Sequence, residues 1–150
     1  MIEKRKFKIN WKYVRQVYSK DHKREKLIKK LSWHKSKITQ RKAIKALVKM
    51  PDSVLFLVLP NRMYCKSMWE NAAIVLKEKG IMASEIMWIE LFYWIQDLNW
   101  PGSLIIYDLL KTMPRDEFDK WIHKAIQIAD ILDDSDWLIN LNNLLADMSL

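Results

Sequence analysis

Glycine is nearly missing from this chain: two residues in 150, Gly80 and Gly102, beside only four prolines. β-Rich folds use these residues to turn their strands, so the scarcity argues against a sandwich or barrel and for long helices on short connections. Cysteine is reduced to Cys65. A lone cysteine excludes an intramolecular disulfide and a multi-cysteine zinc site. The longest apolar run, Val54 to Leu59, is far short of the roughly 20 residues that a membrane span needs. Met1 to Tyr13 carries charges and no apolar stretch of the kind a signal peptide has. The expectation is a protein of the reducing cytoplasm, away from membranes. There is no glycine-rich phosphate loop and no Gly-x-Ser-x-Gly elbow. The three histidines, His22, His34 and His123, are scattered. No catalytic constellation emerges, and neither a cofactor nor an enzymatic role is expected.

What is present is apolar side chain and tryptophan. Half of the residues are hydrophobic and eight are Trp, which is ample for one buried core in a chain of single-domain length. The net charge of +8 hides an uneven placement. Met1 to Lys45 holds 17 Lys and Arg against Glu3, Asp21 and Glu25, a balance of +14; the remaining 9 bases face 15 acids, a balance of −6. From Asp130 onward there are five Asp and no Lys or Arg. Such asymmetry marks either a polyanion contact or a solvated basic face beside an acidic remainder.

Periodicity predicts a series of helices. Trp11, Val14, Val17 and Tyr18 recur at helical spacing, as do Leu27, Ile28 and Leu31 with Trp33. Thr39 is the expected cap of a helix carrying Ala43, Ile44, Leu47 and Val48, which ends before Pro51. Asp52 or Ser53 would cap a short helix through Leu59, and Ser67 one that runs to Gly80. The segment from Ser84 to Ile95 is apolar almost all round, with Glu90 its single charge after Glu85. That pattern belongs to a buried helix. Glu90 is then either a chemically tuned acid or the partner of a Trp N–H or a lysine. Pro101 is expected at the first helical position of the next helix, whose apolar face is Leu104, Ile105, Tyr107, Leu109 and Leu110. Pro114 closes it, Asp116 begins another, and Asp133–Asp136 offers surplus caps before a last helix with Trp137, Leu138, Leu141, Leu144 and Leu145. This Asp run lacks the glycine and distal Glu of a calcium loop, which favours capping.

Leu76, Leu110 and Leu144 are equally spaced, by 34 residues, and so are Pro101 and Ser135 at their helix starts. A period of this size is the mark of α-solenoid units, with a plain helical bundle as the alternative. The expected fold is all-α, a HEAT-like α-α superhelix of stacked antiparallel helix pairs over residues 37–150, preceded by a basic helical segment, residues 1–36.

The stretch Trp94-Ile95-Gln96-Asp97-Leu98-Asn99-Trp100-Pro101-Gly102 resembles the signature Trp-Leu-Gln-Asp-x-Asn-Trp-Pro of a bacterial family of small HEAT-like helical proteins to which no reaction is assigned. Asp133-Asp134-Ser135-Asp136-Trp137 is similar to the acidic, Trp-containing segment that follows in that family. The resemblance covers Lys37 to Leu145. It departs at Gly102, where a small aliphatic residue is the family's pattern, and in the Lys-rich first 36 residues. It implies an immunity-type or partner-binding role and no reaction.

Physically, Asp97-x-Asn99-Trp100-Pro101 reads as a rigid inter-helix corner, with polar caps, a preset proline and a Trp staple. It also reads as a binding patch in which Asp97, Asn99 and Trp100 are joined by Asp134 and Trp137 from the corner one repeat later. The two readings are compatible. The leading expectation is therefore a protein-binding module with an unidentified protein partner. The alternative is nucleic-acid binding through the basic N-terminal segment, with Lys12, Arg15, Lys23, Arg24 and Lys30 as contacts. An enzyme working through Glu90 or the Asp cluster is the third reading.

Overall fold

The computed structural model describes residues 22–52, 58–59, 65–80 and 85–150. Seven α-helices make up the described chain: α1 (His22–Lys29), α2 (Lys37–Val48), α3 (Trp69–Lys79), α4 (Glu85–Trp94), α5 (Ser103–Leu110), α6 (Arg115–Ile131) and α7 (Ser135–Met148). A 3₁₀ turn, Lys66–Met68, leads into α3. No strand occurs among the described residues, so the fold is all-α. The expected helix around Trp11–Tyr18, most of the one before Leu59, the cap Ser84, and Lys12 and Arg15 lie outside the described residues, as does the side chain of Lys23.

Helix α2 starts one turn before Thr39. Ser36 is its cap, accepting from the Thr39 backbone N–H at 3.2 Å, while Ser36 Oγ also donates to Thr39 Oγ1 at 2.8 Å. Gln40, Ala43, Ile44 and Leu47 form its buried face. Its end is closed from across the fold. Lys79 Nζ donates to the carbonyls of Val48 (3.0 Å) and Met50 (2.5 Å) and pairs with Asp52 (3.3 Å), with its side chain only 7% exposed. The cation thus satisfies carbonyls that a helix end leaves open, at the end where positive charge is favoured.

Ser67 is not the cap of α3. Its hydroxyl accepts from Ser32 Oγ (3.0 Å) and lies 2.7 Å from Cys65 Sγ, and its carbonyl accepts from the Trp33 N–H (3.0 Å). With Asn71 Nδ2 donating to the Leu31 carbonyl (2.6 Å), these bonds tie the α1–α2 connection to α3. Ile28 and Leu31 therefore share one core with everything that follows.

Helix α2 packs on α1 and α3, α5 on α3 and α4, and α6 on α4 and α7. Leu76, Leu110 and Leu144, the 34-residue series, are all buried in that core. Helix α4 is buried as its composition predicts: every described side chain from Trp88 to Trp94 is buried except the half-buried Tyr93. Helix α5 shows a different face from the expected one. Ile106 is inside with Leu109 and Leu110, whereas Leu104 is 62% exposed.

Glu90 is 8% exposed, and burial pushes its carboxyl from 4.5 up to about 7. A raised carboxyl stabilises the fold fully below pH 4.5, where it is protonated in both states. That contribution is lost as pH climbs to about 7, at a cost on the order of 3 kcal/mol. Melting should accordingly fall between pH 5 and 8, and Glu90→Gln should flatten this segment of the profile by raising stability at the alkaline end. Parallel profiles for the two proteins would refute the assignment.

Candidate functional site: a cavity between two helix corners

The first corner, Ile95–Gly102, is a chain of short hydrogen bonds. Asp97 Oδ1 accepts from the Asn99 N–H (2.8 Å) and the Asp97 carbonyl from the Trp100 N–H (3.0 Å). Buried Ser103 donates its hydroxyl to the Leu98 carbonyl (2.7 Å), and Trp94 Nε1 donates to the Pro101 carbonyl (3.0 Å). Proline is thus outside the helix it was expected to start. Gly102 is the cap of α5, in the left-handed region at φ 80°. This conformation suits glycine, and a Cβ there would meet Ala73 Cβ at 2.7 Å and the Trp69 carbonyl at 2.9 Å. This glycine lets the corner lie directly against α3. Three indoles complete the seam: Trp100 meets Trp69 edge-on at 5.7 Å and Trp69 meets Trp94 at 6.3 Å, with Lys66 Nζ 5.6 Å from the Trp100 ring centre.

The second corner joins α6 to α7. Asp134 N–H reaches the Ala129 carbonyl and Asp133 N–H the Asp130 carbonyl, both at 3.0 Å, with Asp133 left-handed at φ 53°. This is a Schellman ending with Asp in the place glycine usually takes. Asp134 then caps α7, accepting from the Trp137 N–H at 3.1 Å. Asp134 and Asp136 both stand at the positive end of the helix dipole, which favours them there.

Side chains of α7 bring the two corners together. Trp137 Nε1 donates to the Phe92 carbonyl (3.0 Å), and Asn140 Nδ2 to those of Ile95 (3.0 Å) and Gln96 (3.2 Å). These are carbonyls at the end of α4 that the helix cannot satisfy itself. The first turns of α7 therefore cap α4, and a cavity of about 550 Å³ is left between the corners. Asp97, Asn99, Trp100 and Asp134, all expected from the sequence, line it. Gln96, Leu98, Asp136, Ile139 and Asn140 complete the wall.

Trp137 is the correction. It was expected on the exposed patch, but it is fully buried and stacks on Tyr93 at 4.9 Å, so it builds the site from beneath. Asn140 and Ile139 were missed. The only local signal for Asn140 is its position three residues after Trp137, on the same side of the helix.

Electrostatically the wall is one-sided. It holds three carboxylates and no Lys, Arg or His, and no described base pairs with any of the three. Among the described residues no three His, Cys, Asp or Glu side chains form a metal-binding group. Chemically, three carboxylates beside Trp100, Leu98 and Ile139 are groups that can accept a cation and cover an apolar stem. Glu90 is not part of its wall. Of the alternative basic contacts, Lys30 is exposed and Arg24 is half-buried. No described helix is long and apolar enough to cross a membrane. No protein-family model, curated protein or solved structure matches the chain.

Proposed function

We propose that this chain is a non-catalytic protein-binding module, a HEAT-like helical repeat of the immunity or scaffolding kind, which receives a basic side chain of its partner in the cavity between the two corners. The observation that carries the reading is convergence: Asp97, Asn99 and Trp100 share one cavity with Asp134, which follows them in the second corner. The repeat period of 34 residues supports a solenoid in which equivalent corners align along one edge. A half-exposed Trp among uncompensated carboxylates has the composition of a binding hot spot for Lys or Arg.

The test compares capture from lysate of the source cells by the parent chain and by an Asn99→Ala, Trp100→Ala variant, both first shown helical by circular dichroism. One protein should be retained by the parent and lost by the variant. Mutating the partner's contacting Lys or Arg to Gln should abolish retention to the same degree. Equal capture by parent and variant would make the corner purely structural.

A further inference from the structure

A second surface, on α1 and α2, has the opposite character. Nine Lys and Arg side chains lie between Glu25 and Asp52 with no acid among them, and all nine are exposed. Among the described residues none of the nine is paired with a carboxylate. Lys37, Arg41, Lys45 and Lys49 recur every four residues, so they form a gently spiralling row on the outside of α2, about 18 Å long. The opposite side of the helix is the buried Gln40–Leu47 face. Trp33, four residues before Lys37 in the chain, is 47% exposed on a backbone anchored to Ser67, its ring edge-on to His34 at 6.1 Å.

Like charges packed this densely repel one another and weaken the fold unless an external polyanion compensates them. A membrane surface is the poorer fit. Helix α2 spends its apolar residues on the core, and Ile38, 65% exposed, is the one large apolar side chain it offers outward. A line of cations preceded closely in the chain by an exposed indole offers the combination with which single strands are held, phosphates on the charges and a base on the ring. We propose that the outer face of α1 and α2 binds single-stranded nucleic acid without sequence preference, through the Lys37–Lys49 row with one unpaired base stacked on Trp33. None of these residues lines the acidic cavity.

The experiment is fluorescence anisotropy of a labelled oligothymidine with the full chain over a range of salt. Affinity should fall steeply with salt as counterions are displaced. The exposed triple variant Lys37→Glu, Arg41→Glu, Lys45→Glu, checked for helicity, should bind at least about tenfold more weakly, with the salt slope reduced by about 2. Trp33→Ala should weaken binding by roughly fivefold or more at an unchanged slope. Absence of binding at low salt, or a triple variant that binds like the parent, would overturn the proposal. So would retention on phosphatidylserine vesicles that oligothymidine does not compete away. Full affinity of Trp33→Ala would overturn the single-strand assignment.

Discussion

Trp137→Ala is expected to be the most damaging single substitution on the second corner, at about 3–5 kcal/mol, the cost of deleting a fully buried large aromatic side chain. The ring is stacked on Tyr93, and its N–H satisfies the Phe92 carbonyl at the end of α4. Alanine leaves both a void and an unpartnered carbonyl. For a domain of this length the corresponding drop in Tm is roughly 6–20 °C. Trp137→Phe separates the two contributions. It keeps most of the ring and loses the hydrogen bond, so its cost should be about 1–3 kcal/mol. Chemical denaturation of the three proteins decides the matter. If Trp137→Ala unfolds with the parent's midpoint, the indole does not hold α7 to α4, and the account of how the two corners meet fails with it.

The second large effect is expected at Gly102. Both glycines have positive φ, but only Gly102 (φ 80°, ψ −8°) is in the left-handed helical region, where alanine incurs about 1–2 kcal/mol of backbone strain. Gly80 (φ 79°, ψ 167°) is in a region open essentially to glycine alone and is strained differently by alanine. Their surroundings differ. A Cβ at Gly80 meets nothing within 4 Å, whereas one at Gly102 runs into Ala73 Cβ and the Trp69 carbonyl. Neither obstacle is the free end of a flexible side chain, so α3 and the corner must part. Overpacking of this kind adds about 1–3 kcal/mol. The loss in Gly102→Ala beyond the left-handed strain measures the close approach. The excess should shrink when Ala73→Gly is added, because the nearest contact is then removed. A Gly102→Ala loss that stays within about 1–2 kcal/mol and is unchanged by Ala73→Gly would show that the corner does not rest on α3.

The same corner explains why stability and binding are coupled at this site. Trp100 lines the cavity and also packs on Trp69, so its removal weakens the seam as well as the wall. Asn99 is exposed, and its backbone N–H rather than its side chain makes the turn. Of the two changes in the capture experiment, Asn99→Ala is therefore the one whose effect reads on binding with least effect on folding.

Local chemistry was enough to read the helices and several of their ends from the sequence. The scarcity of Gly and Pro, the helical spacing of apolar residues, the stop before Pro51, the Gly80 terminus and a cap within Asp133–Asp136 are all properties of neighbours along the chain. The burial of α4 was equally legible, because a helix apolar on every side has nowhere else to go. The lining residues Asp97, Asn99, Trp100 and Asp134 stood out through the signature and the 34-residue period. What tertiary structure alone decided is which surfaces meet. Helix α5 is apolar nearly all round, Ser-Leu-Ile-Ile-Tyr-Asp-Leu-Leu, so its spacing could not say that Ile106 turns inward and Leu104 outward. Trp137 went to the core and Asn140 to the carbonyls of Ile95 and Gln96 because α4 ends with open acceptors 44 or 45 residues away. The cap of α5 takes a glycine because its backbone is left-handed and α3 passes too close for a Cβ. Helical periodicity is a property of one segment, whereas caps supplied by another helix and the approach of two backbones exist only once the segments have packed.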